Sequence, residues 1–208
     1  TKKDAKKLAE IMINIGRHLG KDVRAEVTDM DQPLGYAVGN NLEIKEVIET
    51  LHNRGPKDLT KLCLDSGSIM LVQAKLFHDK KEARKALLKN LKNGKAFEKF
   101  VEFVKAQKGD TSYILDPSKF EVAKNIIPIY SNKEGVIKRI DALTIGKSSM
   151  KLGGGRERIE DTIDMSAGII LNKKIGDFVK NNELLATLYT NKEDFEEITL
   201  DVLNAFIF

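Results

Sequence analysis

The stretch richest in possible chemistry runs from Thr28 to Glu46, TDMDQPLGYAVGNNLEIKE. It is a loop rich in Asp, Pro and Gly that ends inside an amphipathic helix carrying Glu46. If the turn is tight, Glu46 points back towards the loop. Loop carbonyls plus one carboxylate are hard oxygen donors, a set that suits a hard cation. The competing reading is a rigid turn followed by a surface glutamate. Asp29 and Asp31 flank Met30, a spacing that could serve as an acid/base pair. Nothing in the sequence raises the pKa of either, so turn formation is the preferred reading.

Other candidates are weaker. Gly153-Gly154-Gly155-Arg156 could cradle a phosphate with its N–H groups. It follows a helix instead of opening one after a strand, which reads as a helix terminator. His18, His52 and His78 are scattered with no metal-ligand spacing. Cys63 is the single cysteine and falls on an apolar helix, where a buried structural thiol is the default.

These groups need elements to position them. Thr1–Leu19 reads as an amphipathic helix, with Leu8, Ile11, Met12, Ile15 and Leu19 on one face. Val23–Thr28 alternates as a strand, which predicts half of a parallel α/β unit whose earlier strands lie outside the chain. Helices follow over Leu42–His52, capped by Asn40 or Asn41, over Asp58–Phe77, over Lys80–Lys92 and over Lys95–Lys105. The spacing of Phe97, Phe100 and Phe103 is that of core packing more often than of a binding stripe. From Val122 the period changes, with strands expected near Ile126–Tyr130, Gly135–Ile140, Met165–Leu171 and Leu184–Tyr189. Helices are expected over Ala142–Leu152 and Glu193–Ala205. The expected fold is therefore α/β with an α+β C-terminal domain. An incomplete parallel sheet flanked by helices fills residues 1–107, a linker spans 108–121, and a small barrel-sandwich-like domain fills 122–208.

Composition agrees with a globular chain. The 208 residues are 41% hydrophobic and 32% charged, with a net charge of +4 from 35 basic and 31 acidic side chains. The basic residues are interleaved with acids along helices, which reads as solvated faces and not as a nucleic-acid surface. No apolar run reaches the roughly 18 residues of a membrane span and no signal peptide is evident. A lone cysteine fits a reducing cytosol. The chain opens at Thr1 directly in a helix pattern, as expected of a sequence that begins mid-protein.

One resemblance ties the chain together. Asp29-Met30-Asp31-Gln32-Pro33-Leu34-Gly35, Ala37-Val38-Gly39-Asn40 and Leu42-Glu43 resemble the signature of the pyrimidine-nucleoside phosphorylase and thymidine phosphorylase family. Gly55-Pro56-Lys57-Asp58-Leu59, Asn93–Phe100, Asp141–Arg156 and Gly168–Asp177 are similar to the same family in the same order, and only to its later half. The resemblance implies phosphorolysis, in which inorganic phosphate attacks C1′ of a pyrimidine nucleoside. It also implies a cytoplasmic homodimer and a potassium ion. Two ion ligands carry over to the main-chain oxygens of Leu34 and Ala37 and a third to the carboxylate of Glu46. Further ligands belong to an earlier glycine-and-threonine loop that is not matched here. The residues that hold phosphate and base in the family also lie in that earlier half, so no catalytic residue carries over and the chain alone is expected to be inactive.

The C-terminal region is similar, too, to lipoyl and biotinyl carriers. Lys151 sits at a helix end and not at a hairpin tip, so it reads as an ordinary lysine. The alternative function is a stand-alone, non-catalytic binding or regulatory fragment. An anthranilate phosphoribosyltransferase-like enzyme is disfavoured by the glycine-rich C-terminal region.

Overall fold

A computed structural model describes all 208 residues, Thr1–Phe208. Helix α1 (Lys2–His18) starts at Thr1, whose hydroxyl accepts from the Asp4 N–H, and stops at a left-handed Gly20. Helices α2 (Asn40–Leu51), α3 (Lys57–Gln73), α4 (Lys80–Lys92) and α5 (Lys95–Ala106) follow. The cap of α2 is not Asn40 or Asn41 but Gly39, whose φ of 145° few other residues adopt. Its N–H donates to Glu43 Oε1 at 2.9 Å, a reach-back from four residues on, one position beyond that of a capping box. Helix α3 runs unbroken through Gly67, which lies directly against Leu87 of α4. A short α6 (Ser112–Leu115) and a single 3-10 turn at Pro117–Lys119 lead into the β-rich part.

The expectation of a parallel sheet fails. Val23–Thr28 makes no strand, and every strand pair in the molecule is antiparallel. The reason is elementary: a strand's N–H and C=O groups need a neighbouring strand, and none runs beside Val23. That segment instead packs locally, with Val23 against Gly16 of α1 and Ser66 Oγ donating to Glu26 at 2.7 Å.

The principal sheet has four strands: β1 (Ala37–Val38), β5 (Gly168–Leu171), β7 (Leu184–Thr190) and β2 (Asn125–Tyr130), side by side in that order. The register sets Ala37 opposite Ile170, Ile169 opposite Leu188 and Ile127 opposite Leu188. Strand β2 is an edge, so Pro128 is tolerated in it. Two small ribbons, β3 (Gly135–Val136) with β6 (Phe178–Val179) and β4 (Arg139–Ile140) with β8 (Phe206–Ile207), complete the strands. No sheet closes into a barrel. Helices α7 (Ala142–Ser149) and α8 (Glu196–Asn204) cover the sheet, with Ile145 and Val202 fully buried beside Ile169, Leu185 and Leu188.

Candidate cation loop

The loop between Asp29 and Tyr36 is held from three directions. Within it, the Asp31 N–H donates to Asp29 Oδ1 at 3.0 Å, the turn-forming role expected of that pair. From the β-rich part, Ile140 N donates to Asp31 O at 2.9 Å and Ile175 N donates to Gln32 Oε1 at 3.0 Å. From the helices come Glu46 and Asp58.

Glu46 turns back onto the loop. Its Oε1 accepts from Tyr36 N at 2.8 Å and Ala37 N at 3.1 Å. Its other oxygen lies so close to Gly35 that a Cβ there would fall 2.1 Å from it. Gly35 also holds a φ of 70°, so both sterics and backbone demand glycine at this position. Burial pushes the Glu46 carboxyl above its ordinary pKa and the Asp58 charge adds to the effect, against the two N–H donors and Lys174.

Asp58, in the first turn of α3, accepts from Gly35 N at 3.2 Å. Burial works against its ionisation. The Lys174 ammonium and the N–H groups of Leu59 and Gly35 outweigh it and hold the carboxyl below the usual range. Lys174 reaches in from the turn after β5. Its Nζ donates to Pro33 O at 2.5 Å and Gly35 O at 2.6 Å and pairs with Asp58 Oδ2 at 2.9 Å.

The three predicted ion ligands gather at this loop. No hydrogen bond within the protein ends on the Leu34 carbonyl. Leu171 N donates to Tyr36 O, so the antiparallel alternation turns the Ala37 carbonyl away from β5, the side on which its N–H meets Glu46. Two carboxylates, Glu46 and Asp58, share one ammonium, which leaves a net charge of −1. The chain gathers no group of three or more His, Cys, Asp or Glu side chains. A carbonyl-rich donor set with one unbalanced negative charge fits a monovalent cation better than a divalent one.

A cleft of about 950 Å³ opens beside this loop, lined by Tyr36, Glu46, Arg54 and Lys57 and by Ile170 and Tyr189 of the sheet.

The remaining candidates fall away from the loop. Lys151 pairs with Asp201 at 3.0 Å. The triple glycine closes α7 through a wide turn, with Gly153 at a φ of 115°. His18 and His52 each bond a carbonyl one helical turn back, and His52 packs at a tilt against Phe97, with ring centroids 4.2 Å apart. Cys63 is exposed, not buried as expected of that helix face; burial around its sulfur nevertheless pushes the thiol pKa up, away from a nucleophile's.

Residues 136–207 match the family description "Pyrimidine nucleoside phosphorylase C-terminal domain". Similarity extends well beyond them. The chain is 46% identical over 202 residues to the pyrimidine-nucleoside phosphorylase of Bacillus subtilis, covering 97% of this chain and 47% of that protein. It is 45% identical over 195 residues to that of Geobacillus stearothermophilus, covering 94% and 45%, and 44% identical over 198 residues to that of Staphylococcus haemolyticus. The chain belongs to the pyrimidine-nucleoside phosphorylase family. It matches the C-terminal part of these relatives and spans about half their length.

In the sequence, Glu46 was reached through the family resemblance, because spacing alone favoured a surface residue of the helix. Lys174 and Gln32 were missed. Lys174 stands in Lys173-Lys174-Ile175-Gly176-Asp177, and nothing local separates the buried lysine from its neighbour. The only usable signal was the Gly176 turn, which brings a short segment back towards the sheet edge. No helix is long and apolar enough to cross a membrane.

Proposed function

We propose that this chain is the later part of a pyrimidine-nucleoside phosphorylase, a pentosyltransferase that converts a pyrimidine nucleoside and inorganic phosphate to the free base and a pentose 1-phosphate. The intact enzyme works as a cytoplasmic homodimer. Its potassium ion is held here by the main-chain oxygens of Leu34 and Ala37 and by the Glu46 carboxylate. The observation that carries the reading is the Thr28–Glu46 loop. It keeps the family's spacing, and it folds around one half-buried carboxylate with a net negative charge to offer.

When bound, the cation ties the loop to α2 and balances the Glu46 charge. The chain's own residues do the rest of the positioning. Asp58 and Glu46 hold Gly35 and Tyr36 by their N–H groups, and Gln32 fastens the loop to the turn after β5. No residue of this chain is assigned to bond making, and the 208 residues alone turn over nothing.

The test uses two proteins. The chain alone is assayed for phosphate-dependent cleavage of thymidine and uridine. It is then joined to the preceding part of the Bacillus subtilis relative and assayed again. The expected result is no cleavage by the first and cleavage by the second. Turnover by the chain alone, or none by a folded chimera, would sink the reading. In the second case a ligand bound without turnover would point to a stand-alone binding module.

A further inference from the structure

Lys174 lies outside the donor set carried over from the family, yet it is the most tightly held cation at the loop. Its side chain is 11% exposed. An ammonium has three N–H donors and is costly to bury unless each finds an acceptor. Here three oxygens supply them: Pro33 O, Gly35 O and Asp58 Oδ2. The Tyr36 ring lies 5.6 Å away.

The consequence falls on Leu34. Gly35 is gripped at its carbonyl by Lys174 and at its N–H by Asp58, with the Glu46 carboxylate filling the space a side chain there would need. Pro33 is gripped at its carbonyl by the same ammonium. Of three successive carbonyls, those of Pro33 and Gly35 are taken and that of Leu34 alone accepts nothing from the protein. The charges divide in the same way, with Asp58 balancing Lys174 and Glu46 left for a second positive charge.

We propose that Lys174 is the positioning residue of the cation loop: a tethered ammonium that occupies the Pro33 and Gly35 carbonyls and so reserves Leu34 O, Ala37 O and Glu46 for a free monovalent cation. This rests on the ion-site reading given above and extends it. Through Lys174 the sheet that carries β5 sets the geometry of a loop 139 residues earlier in sequence.

The test is made on the 208-residue chain. Melting is followed against potassium chloride at constant ionic strength, with choline chloride as the balancing salt, for the unaltered chain, Lys174→Ala and the exposed-lysine control Lys138→Met. Amide hydrogen exchange is measured at Gly35, Tyr36 and Ala37 in the same proteins. In Lys174→Ala the potassium concentration giving half of the melting shift rises tenfold or more. Exchange at Tyr36 and Ala37 speeds up by a similar factor, and added propylammonium reverses both while tetramethylammonium does not. Lys138→Met changes neither. An unaltered potassium response and unaltered exchange in Lys174→Ala would overturn the proposal. If the unaltered chain shows no potassium response, the ion-site reading fails for this chain, and exchange then decides whether Lys174 positions the loop. Should Lys174→Ala not fold, Lys174→Arg gives the same readouts, because a planar fork keeps the charge but cannot meet the same three oxygens.

Discussion

The helical region and the β-rich region are built on opposite plans. All sixteen residues of the buried apolar cluster lie between Ile129 and Phe206. In residues 1–107 the buried apolar side chains are Ala37, Ile48, Leu64 and Ala83 with the two prolines Pro33 and Pro56, and Ala37 belongs to the sheet. Helix α1 displays Leu8, Met12 and Ile15 at 56–58% exposure on the face its periodicity marks as apolar. A hydrophobic stripe at helical spacing therefore says that a helix has a face to bury, and not that the face is buried. The β-rich region encloses its own core, whereas the helical region takes its order from the sheet through β1, Glu46 and Lys174.

Four measurements test that contrast. The largest effect is expected in the sheet. Leu188 is fully buried between β5 and β2, and Leu188→Ala should cost roughly 2–5 kcal/mol in denaturant unfolding. A cost near 1 kcal/mol would mean that this core is looser than its packing indicates.

Next comes the junction of the two regions. At Gly39 a Cβ would lie 2.5 Å from Ala167 O and 2.8 Å from the Gly168 α-carbon. Gly39→Ala should therefore separate β1 from β5 and cost about 1–3 kcal/mol. Faster amide exchange should be confined to residues 35–43 and 167–171. Unfolding of the whole sheet instead would show that β1 is integral to the core.

A pH effect should follow at Asp164. Burial opposes its ionisation, but Ser166 Oγ and N–H and the Asn191 amide outweigh it and hold the carboxyl below its ordinary value. A depressed folded pKa contributes stability above the unfolded value of about 3.9 and loses it as pH falls through the lower folded one. Asp164→Asn should cost about 1 kcal/mol at neutral pH, on the scale of one charged hydrogen bond. The difference from the unaltered chain should vanish in strong acid. A difference independent of pH would assign the effect to packing.

The smallest effect belongs to α1. Ile15→Gln keeps helix propensity and removes only exposed apolar surface, so the change should stay within about 0.5 kcal/mol. A larger and concentration-dependent loss would mean that this face is covered in solution by a second copy.

Much of the molecule was legible in its sequence. Helices α1 to α5 and α8 stand within a few residues of their expected places, because each N–H of a helix is satisfied four residues back and the pattern of Leu, Ile and Val reports its face. Glu46 was placed at its loop by the family resemblance, since spacing alone allowed that only if the turn was tight. The Asp29–Asp31 pair was read as a turn, and the turn is there. Val23–Thr28 had the alternation of a strand but no neighbour to pair with, and Asn40 looked like a cap although Gly39 takes the role by its φ.

By itself, then, the sequence determined the helices, which are written in short-range spacing, and the family with its loop carboxylate, which are written in a similarity to relatives that runs along nearly the whole chain. Tertiary structure alone decided that β1 joins β5, that the sheet is antiparallel, and that Lys174 and not its neighbour enters the loop. Strand pairing and the burial of an ammonium are satisfied only by partners distant in the chain, here 141 residues away for Pro33. No local rule of spacing can identify such a partner.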